Sequence, residues 1–406
     1  MLRVGVLGLR TQEYADLVRE AGGQPLAREL LELGPRGGVA LRREWVADQA
    51  EIFCSAVGPD SLLVGPCGPE NLIGFLLAAL RLDLPVVFAH DGIVHFDVIP
   101  YALGLAPLVG NAVEIAVGLA GSSEMAPRRL VDNFSLANAL RAGLSAGVGP
   151  ELLVHLAAVA REAGVSGFSR MTRVLAPESP AAADPAWFRA YGPAGLLAGL
   201  GDALHDTPTV TGRMKEALPP APPLPDAAGR RLFFPSGRAS GTEVICQAGS
   251  ATEEVAGKCR VFASEREAVE AVAGGSVWEG DLLVVAGCGA RGGPGLLALD
   301  DLGTALLEAG LDVPVLTDGL PPSKVEVASP WISLFSPEAA SGGVIGLLAD
   351  GDTLRFDLVE GRIRTGVSAD ELASRKPFAT SGHSTFGYAA RYARSALSPL
   401  EGAGFG

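Results

Sequence analysis

Short apolar runs alternate with amphipathic segments through the first half of the chain. The apolar runs at 4–9, 61–64 and 86–89 predict strands, and the amphipathic segments at 11–21, 42–56 and 70–82 predict helices. Strands that alternate with helices are typical of a parallel α/β sheet. Residues 101–165 carry Ala, Leu and Val at helical spacing, most clearly at 151–163. The pattern predicts a parallel α/β N-terminal domain at 1–215.

The pattern changes after a proline-rich connector at 216–230, which predicts an extended linker. Seven short β-like runs follow, at 232–240, 243–247, 260–263, 281–286, 313–317, 344–348 and 353–358. Helices are predicted at 265–273 and 296–309. We expect a β-rich, barrel-like C-terminal domain at 231–376. The glycine-rich tail at 377–406 is expected to be partly disordered.

Composition narrows the class of protein. The chain has 406 residues, 48% of them apolar, a net charge of −14 and a pI near 4.9. A compact globular protein without nucleic-acid binding fits these values, since a phosphate backbone requires a basic face. The apolar stretch 72–89 is interrupted by Arg81 and Asp83, which argues against a membrane span. Five irregularly spaced cysteines and the lack of a secretory leader at 1–9 predict a reduced, cytoplasmic protein.

Four glycine-containing motifs of the second half occur in a distinctive order. They are Arg-Gly-Gly-Pro-Gly at 291–295, Leu-Thr-Asp-Gly at 316–319, Ser-Pro-Glu-Ala-Ala-Ser-Gly-Gly at 336–343 and Ala-Asp-Gly-Asp at 349–352. In this order and spacing the chain resembles the dihydroxy-acid dehydratase / 6-phosphogluconate dehydratase family. The resemblance implies an α/β N-terminal domain, a β-rich C-terminal domain of the dehydratase type, and a homodimer with a cleft between the domains. It also implies removal of water from polyhydroxy acids with an iron–sulfur cluster and magnesium.

The chain departs from this family at the positions where the resemblance implies cofactor ligands. Of the three implied cluster cysteines, only Cys67 stands in a matching place. Gly68 and Pro69 replace the Asp-Lys pair implied for magnesium, and Ala298 replaces a later carboxylate. The implied serine base is displaced to Ser323. One cysteine cannot hold a cluster, and magnesium prefers several oxygen ligands, so we expect no cofactor and no metal.

Other residues are candidates for chemistry. His90 and Asp91 follow the predicted strand 86–89, where ligands of open α/β sheets bind, and they could serve as general acid and base. The alternative is a loop histidine hydrogen-bonded to the backbone. Cys67 could act as a nucleophile if the following helix lowers its pKa, or it could be a buried relic. Ser323 is an auxiliary catalytic candidate.

Four residues of the second half are candidates for substrate binding. Arg291 and its glycine loop could bind a carboxylate or phosphate, or could form only a tight turn. Thr317 and Asp318 follow a predicted strand and would face the same cleft, although Asp318 could merely cap a turn. Ser336 could face the anion or cap a helix.

Two functions remain open from the sequence. The first is a divergent, cluster-free lyase of the dehydratase type that acts on a small polar hydroxy or amino acid, as a cytoplasmic homodimer. The second is a catalytically inactive relative that binds a ligand or stabilises a partner. A weaker third hypothesis is a metal enzyme with relocated ligands at Asp91, Asp97 and Glu70.

Overall fold

A computed structural model describes residues 1–31, 37–89, 95–179, 185–221, 223–224, 230–237, 242–377 and 386–406. The chain forms two compact units. The first comprises Met1–Leu33, Arg42–Val148 and His155–Ala227, and the second comprises Gly34–Leu41, Gly149–Val154 and Ala228–Gly406. The domain limits at 215, 230 and 376 stay predictions.

The strands and helices before residue 227 begin with a four-stranded sheet. Its strands are β1 (Arg3–Leu7), β2 (Gln24–Ala27), β3 (Ser61–Val64) and β4 (Val86–Phe88). The helices are α1 (Thr11–Glu20), α2 (Val39–Val57), α3 (Pro69–Leu82), α4 (Val98–Ala102), α5 (Ala112–Gly118), α6 (Pro127–Leu130), α7 (Asn133–Ser145), α8 (Glu151–Glu162), α9 (Phe168–Glu178) and α10 (Pro185–Gly199). A small hairpin follows, β5 (Pro208–Thr209) and β6 (Gly212–Arg213).

The order of the first sheet is β2-β1-β3-β4, and every neighbouring pair is parallel. Both β3 and β4 are buried along their whole length, as expected for a parallel sheet covered on both faces. The sequence therefore predicted the parallel α/β class correctly. Predicted strand 61–64 is right to the residue, and the first strand ends two residues earlier than predicted.

The second unit is built on an eight-stranded sheet. Its strands are β7 (Arg230–Phe233), β8 (Glu243–Gly249), β9 (Glu254–Phe262), β10 (Asp281–Val285), β11 (Val315–Thr317), β12 (Trp331–Ser336), β13 (Thr353–Asp357) and β14 (Arg362–Thr365). Its helices after residue 227 are α11 (Glu265–Ala273), α12 (Asp300–Ala309), α13 (Ala369–Ser374) and α14 (Gly387–Ser395). The strand order is β14-β13-β9-β10-β11-β12-β8-β7.

The centre of this sheet is parallel and its margins are antiparallel. Strands β9, β10, β11 and β12 are parallel neighbours, whereas β13 and β8 pair antiparallel with β9 and β12. Leu282 and Val284 point into one apolar cluster, and Leu283 and Val285 point into another that includes residues of α11 and α12. The sheet curls into a half-barrel, which confirms the β-rich, barrel-like prediction.

One predicted strand of the second unit was wrong, and two of its strands were missed. The predicted strand 344–348 is a 3₁₀ helix, Val344–Leu347, because its apolar residues fill a turn after Gly343. Strand β12 and the edge strand β14 were missed. The described part of the tail, 386–406, contains α14 and the buried Tyr392, whose hydroxyl donates to the Ala403 carbonyl at 2.6 Å. Residues 378–385 lie outside the described residues, so partial disorder of the tail stays a prediction.

None of the described helices combines the length and the apolar character needed to cross a membrane.

Candidate functional site

The carboxyl ends of β10, β11 and β12 lie at one edge of the second unit's sheet, because these strands are parallel neighbours. Each strand continues into one of the glycine-containing motifs, at 287–295, 318–319 and 337–343. Ligands of parallel α/β sheets bind beyond the carboxyl ends of the strands. This edge is therefore the candidate site of the second unit.

Asp318 joins the segments that follow all three strands. It comes directly after β11, and its Oδ1 accepts the backbone N–H of Cys288 at 2.8 Å. Its Oδ2 accepts the backbone N–H groups of Gly287 and Ala339, both at 3.1 Å. The side chain is only 1% exposed. Asp318 thus fixes the start of the glycine loop and the Ser-Pro-Glu turn against β11.

Glu338 makes a second connection between the same segments. Its Oε1 accepts the backbone N–H of Ala290 at 2.5 Å, and its Oε2 accepts that of Arg291 at 2.9 Å. Glu338 is 3% exposed. The two carboxylates together use five backbone N–H groups. The two carboxylates therefore hold the glycine loop through its backbone N–H groups, so these contacts do not occupy the side chains of the loop.

Burial dominates the electrostatics of these two carboxylates. Burial raises the pKa of Asp318 above its usual range, although its three backbone hydrogen bonds act in the opposite direction. Burial and the nearby charge of Asp318 raise the pKa of Glu338 to about 8. Near neutral pH the pair is thus expected to carry less than two negative charges, because two buried like charges cannot both ionise cheaply.

Two glycines are required by the close packing of these turns. A Cβ at Gly343 would lie 1.7 Å from the Pro337 carbonyl oxygen, and a Cβ at Gly289 would lie 2.4 Å from Glu338 Oε1. Real Cβ atoms do not approach other atoms so closely. The glycines of both motifs therefore let the backbone approach the segment that carries Glu338.

Arg291 presents an exposed guanidinium at this edge. Its backbone N–H is bound by Glu338, and its Nε donates to the Ala396 carbonyl at 3.2 Å. The next residue, Gly292, donates its backbone N–H to the Ala393 carbonyl at 2.7 Å. Both carbonyls belong to α14 or its end, so the C-terminal helix orients the loop. An exposed, oriented guanidinium can bind a carboxylate or phosphate through its remaining N–H groups.

The other candidates of the second unit differ in their surroundings. Thr317 is fully buried, and its Oγ1 accepts the backbone N–H of Gly319 at 3.0 Å. Ser336 is half-buried at the end of β12, where it precedes a cis proline. Asp318, Arg291, Thr317 and Ser336 therefore belong to the same edge.

Ser323 is exposed, and its surroundings are those of a structural turn. Its backbone N–H and its hydroxyl donate to Asp300 Oδ1 at 2.7 and 3.1 Å. Lys324 Nζ lies 3.0 Å from Asp300 Oδ2. Although burial opposes it, the N–H of Ser323 and the contacts from Lys324 hold the pKa of Asp300 below its usual range. The Ser323 hydroxyl donates to an ionised carboxylate that also pairs with Lys324.

The remaining candidates lie in the first half of the chain. Cys67 is half-buried in the first unit, two residues before α3. In the first turn of α3, Glu70 forms an ion pair with Arg42. His90 and Asp91 lie outside the described residues. Their roles stay predictions.

The described side chains do not assemble a donor set for a metal or an iron–sulfur cluster. No three His, Cys, Asp or Glu residues within the described ranges are grouped so that they could hold a metal ion. All five cysteines are free, and four of them are buried. Burial raises the pKa of Cys54 to about 12, and burial with the Asp352 charge does the same for Cys259. Thiolates are the metal ligands, so these buried thiols are poor donors.

Glu338 is the residue of this edge that sequence reasoning missed. The Ser-Pro-Glu motif was a signal, but it indicated Ser336 as the functional member. The importance of Glu338 lies in its contacts with Ala290 and Arg291, which are 48 and 47 residues distant in the chain. Residues this far apart in the chain share no local sequence pattern, so the contact could not be predicted from the sequence.

Comparisons with known proteins relate the chain to one family. Residues 236–403 match the family described as dihydroxy-acid/6-phosphogluconate dehydratase C-terminal. The dihydroxy-acid dehydratase of Citrifermentans bemidjiense is 33% identical over 304 aligned residues, which cover 68% of this chain and 55% of that protein. The chain thus spans about half the length of this relative.

Two further relatives align over most of the chain. The dihydroxy-acid dehydratase of Maridesulfovibrio salexigens is 28% identical over an alignment of 474 positions, gaps included, which covers 90% of this chain and 84% of that protein. The dihydroxy-acid dehydratase of Caldanaerobacter subterraneus subsp. tengcongensis is 27% identical over an alignment of 499 positions, gaps included, which covers 96% of this chain and 88% of that protein. The similarity therefore extends through both units.

Proposed function

Because this chain belongs to the dihydroxy-acid/6-phosphogluconate dehydratase family, we propose that it is a dehydratase-type lyase that works without an iron–sulfur cluster. Its substrate is a small polar hydroxy or amino acid. The observation that carries the proposal is the carboxyl-end edge of β10–β12. There, buried carboxylates hold the Arg291 loop in place, while the described residues offer no metal-binding group.

The proposed reaction is an elimination of water. A base removes the proton from the carbon next to the carboxylate, and the hydroxyl on the neighbouring carbon leaves with a proton as water. When the carbon next to the carboxylate also carries a hydroxyl, the product is an enol, which becomes a 2-oxo acid. Such an elimination needs an anion clamp, a base and an acid, and each can be a side chain.

In the proposed assignment, Arg291 binds the substrate carboxylate. Its exposed guanidinium and the loop held by Glu338 support that role. His90 and Asp91 are proposed as acid and base from their place after β4 in the sequence, with Cys67 and Ser323 as auxiliary groups. Thr317, Asp318 and Ser336 are proposed to shape the substrate end of the site, with Asp318 acting through the backbone that it holds.

The experiment is an assay of the full-length chain for 2-oxo acid release from dihydroxy acids and sugar acids, with a strong chelator present. We expect turnover that the chelator does not reduce. Arg291→Gln should raise KM about tenfold or more, as a lost charge-assisted hydrogen bond predicts. Arg266→Gln, which removes an exposed arginine on α11, is the control and should change nothing.

Two results would contradict the assignment. Full turnover in both His90→Ala and Asp91→Ala would remove these residues from the mechanism. Turnover that appears only after iron and sulfide are supplied would refute cluster independence.

The second candidate is a catalytically inactive family member that binds a ligand or stabilises a partner. The absence of a metal-binding group among the described residues favours it, as does the engagement of Ser323 with Asp300. Saturable binding of a hydroxy acid without turnover, abolished by Arg291→Gln, would identify this case. A cytoplasmic location and a homodimeric assembly belong to both candidates as proposals; sedimentation analysis of the purified chain tests the dimer.

A further inference from the structure

One face of α7 holds His205 in a fixed position in the first unit. Phe134, Asn138 and Arg141 follow one another at spacings of four and three residues, so they lie on the same side of the helix. All three contact the segment at 203–205. This segment comes just before the β5–β6 hairpin.

The backbone of His205 is fixed by a fully buried amide. Asn138 Nδ2 donates to the His205 carbonyl at 2.9 Å, and the His205 N–H donates to Asn138 Oδ1 at 2.8 Å. The Phe134 ring meets the imidazole edge-on, with 5.1 Å between the centroids. The imidazole is therefore positioned by its neighbours before any ligand is present.

The neighbour of the imidazole is a cation. Arg141 Nη1 donates to the Ala203 carbonyl at 2.7 Å and lies 3.4 Å from His205 Nε2. A guanidinium has donors only, so Nε2 accepts in this contact and the ring is neutral. Partial burial, then the charges of Arg141 and Lys215, lower the pKa of His205, while Asp132 opposes them.

The acidic groups around His205 are engaged elsewhere. Asp132 accepts the backbone N–H groups of Phe134 and Ser135 as the N-cap of α7. Asp206 pairs with Arg213 at 3.0 Å and accepts the backbone N–H of Lys215 at 3.0 Å. In the part of the chain that the structure describes, no carboxylate forms an ion pair with Arg141 or with the exposed Lys215.

We propose that His205, Arg141 and Lys215 form a binding site for a small phosphate-type dianion, such as a phosphate monoester. The anion is a negatively charged partner for Arg141 and Lys215. One of its oxygens accepts a hydrogen bond from the protonated Nε2 of His205. Binding is coupled to uptake of one proton from solvent, because the anion replaces a repulsive cationic neighbour with an acceptor. The site is independent of the proposed lyase activity, and it is unusual in a chain with net charge −14.

The test is a pH titration of the five imidazole rings by ¹⁵N NMR on the full-length chain, with and without inorganic phosphate at constant ionic strength. His205→Gln assigns the resonance. We expect phosphate to raise the pKa of His205 in a saturable manner. Arg141→Gln and Lys215→Gln should each weaken phosphate binding about tenfold, and Arg170→Gln, an exposed arginine on α9, should leave it unchanged.

Lys215→Gln keeps the test decisive if Arg141→Gln does not fold, because the Lys215 side chain is exposed. A His205 resonance that phosphate does not move would overturn the proposal. Equal weakening by Lys215→Gln and Arg170→Gln would also overturn it, since the effect would then reflect general charge and not a site.

Discussion

Each unit buries carboxylates, but it compensates their charge in a different way. In the first unit Glu44 is 1% exposed and lies 2.8 Å from both Arg43 and Arg81. In the second unit Asp318 and Glu338 are similarly buried, and their carboxylates accept hydrogen bonds from backbone N–H groups. The first cluster joins helices α2 and α3, and the second joins loops at the ends of strands.

The two forms of compensation have opposite consequences. Burial would raise the pKa of Glu44, but the charges of Arg43 and Arg81 outweigh it and keep the pKa low. Burial and the Asp318 charge outweigh the opposing charge of Arg291 at Glu338, whose pKa is raised to about 8. A guanidinium therefore fixes a buried carboxylate in its charged form, whereas backbone amides leave its charge dependent on pH. The charge of the first cluster is therefore constant near neutral pH, whereas that of the second changes with pH.

The largest expected effect on stability comes from Glu44, the buried carboxylate whose charge is compensated by Arg43 and Arg81. Glu44→Gln removes the charge that compensates Arg43 and Arg81, so it should lower the free energy of unfolding by about 3–5 kcal/mol. Urea denaturation measures this change. Glu51→Gln is the control, since Glu51 is 40% exposed at 3.4 Å from Arg81 and should cost less than about 1 kcal/mol. Similar losses in both variants would show that Glu44 is not the centre of the cluster.

Asp318 and Glu338, whose carboxylates are bound by backbone N–H groups, should make the free energy of unfolding depend on pH. The pKa of Glu338 is raised from 4.5 to about 8, so its protonated form is favoured by folding. Stability is then full below about pH 4.5, falls as pH rises toward 8, and is constant above it. Between pH 5.5 and 8.5 the expected loss is about 3 kcal/mol.

Glu338→Gln should flatten this dependence, although the variant is less stable at pH 5.5 because one N–H loses its acceptor. Unfolding free energies at pH 5.5 and 8.5 give the slope for each protein. Glu326→Gln, at an exposed position of the same unit, should keep the original slope. A slope unchanged in Glu338→Gln would assign the pH dependence to other groups.

Two glycine substitutions, with smaller expected effects, distinguish the cost of close packing from the cost of backbone conformation in the turn that carries Glu338. Gly343→Ala places a Cβ against the Pro337 carbonyl and should cost about 3 kcal/mol, because the backbone must move. Gly342 has φ +79° and open space around it, so Gly342→Ala should cost about 1 kcal/mol. Thermal unfolding of the two variants measures the difference of about 2 kcal/mol. Equal costs would mean that the turn relaxes freely.

Periodicity predicted the elements whose burial is decided locally. The first and last residues of strand β3 and helix α11 were predicted correctly, since each element has a clear apolar pattern with distinct ends. Strand β12 was missed because Trp331–Ser336 is flanked by Pro330 and Pro337 and contains two serines, so its burial comes from the neighbouring strands β11 and β8.

The candidate site was predictable in part. The Arg291, Thr317, Asp318 and Ser336 motifs could be found because their glycines and turn residues form short patterns. The joining of these motifs by Asp318 and Glu338 could not, because it depends on hydrogen bonds between residues 21 to 48 positions apart. His90 and Asp91 lie outside the described residues, and their roles stay predictions.

The most direct test of the proposed cluster-free lyase is the iron and sulfide content of the full-length chain purified without oxygen, measured together with its visible absorption spectrum. We expect a colourless protein with iron far below one atom per chain that still releases a 2-oxo acid from its substrate. Stoichiometric iron with visible absorption, and activity that is lost when the iron is removed, would contradict it.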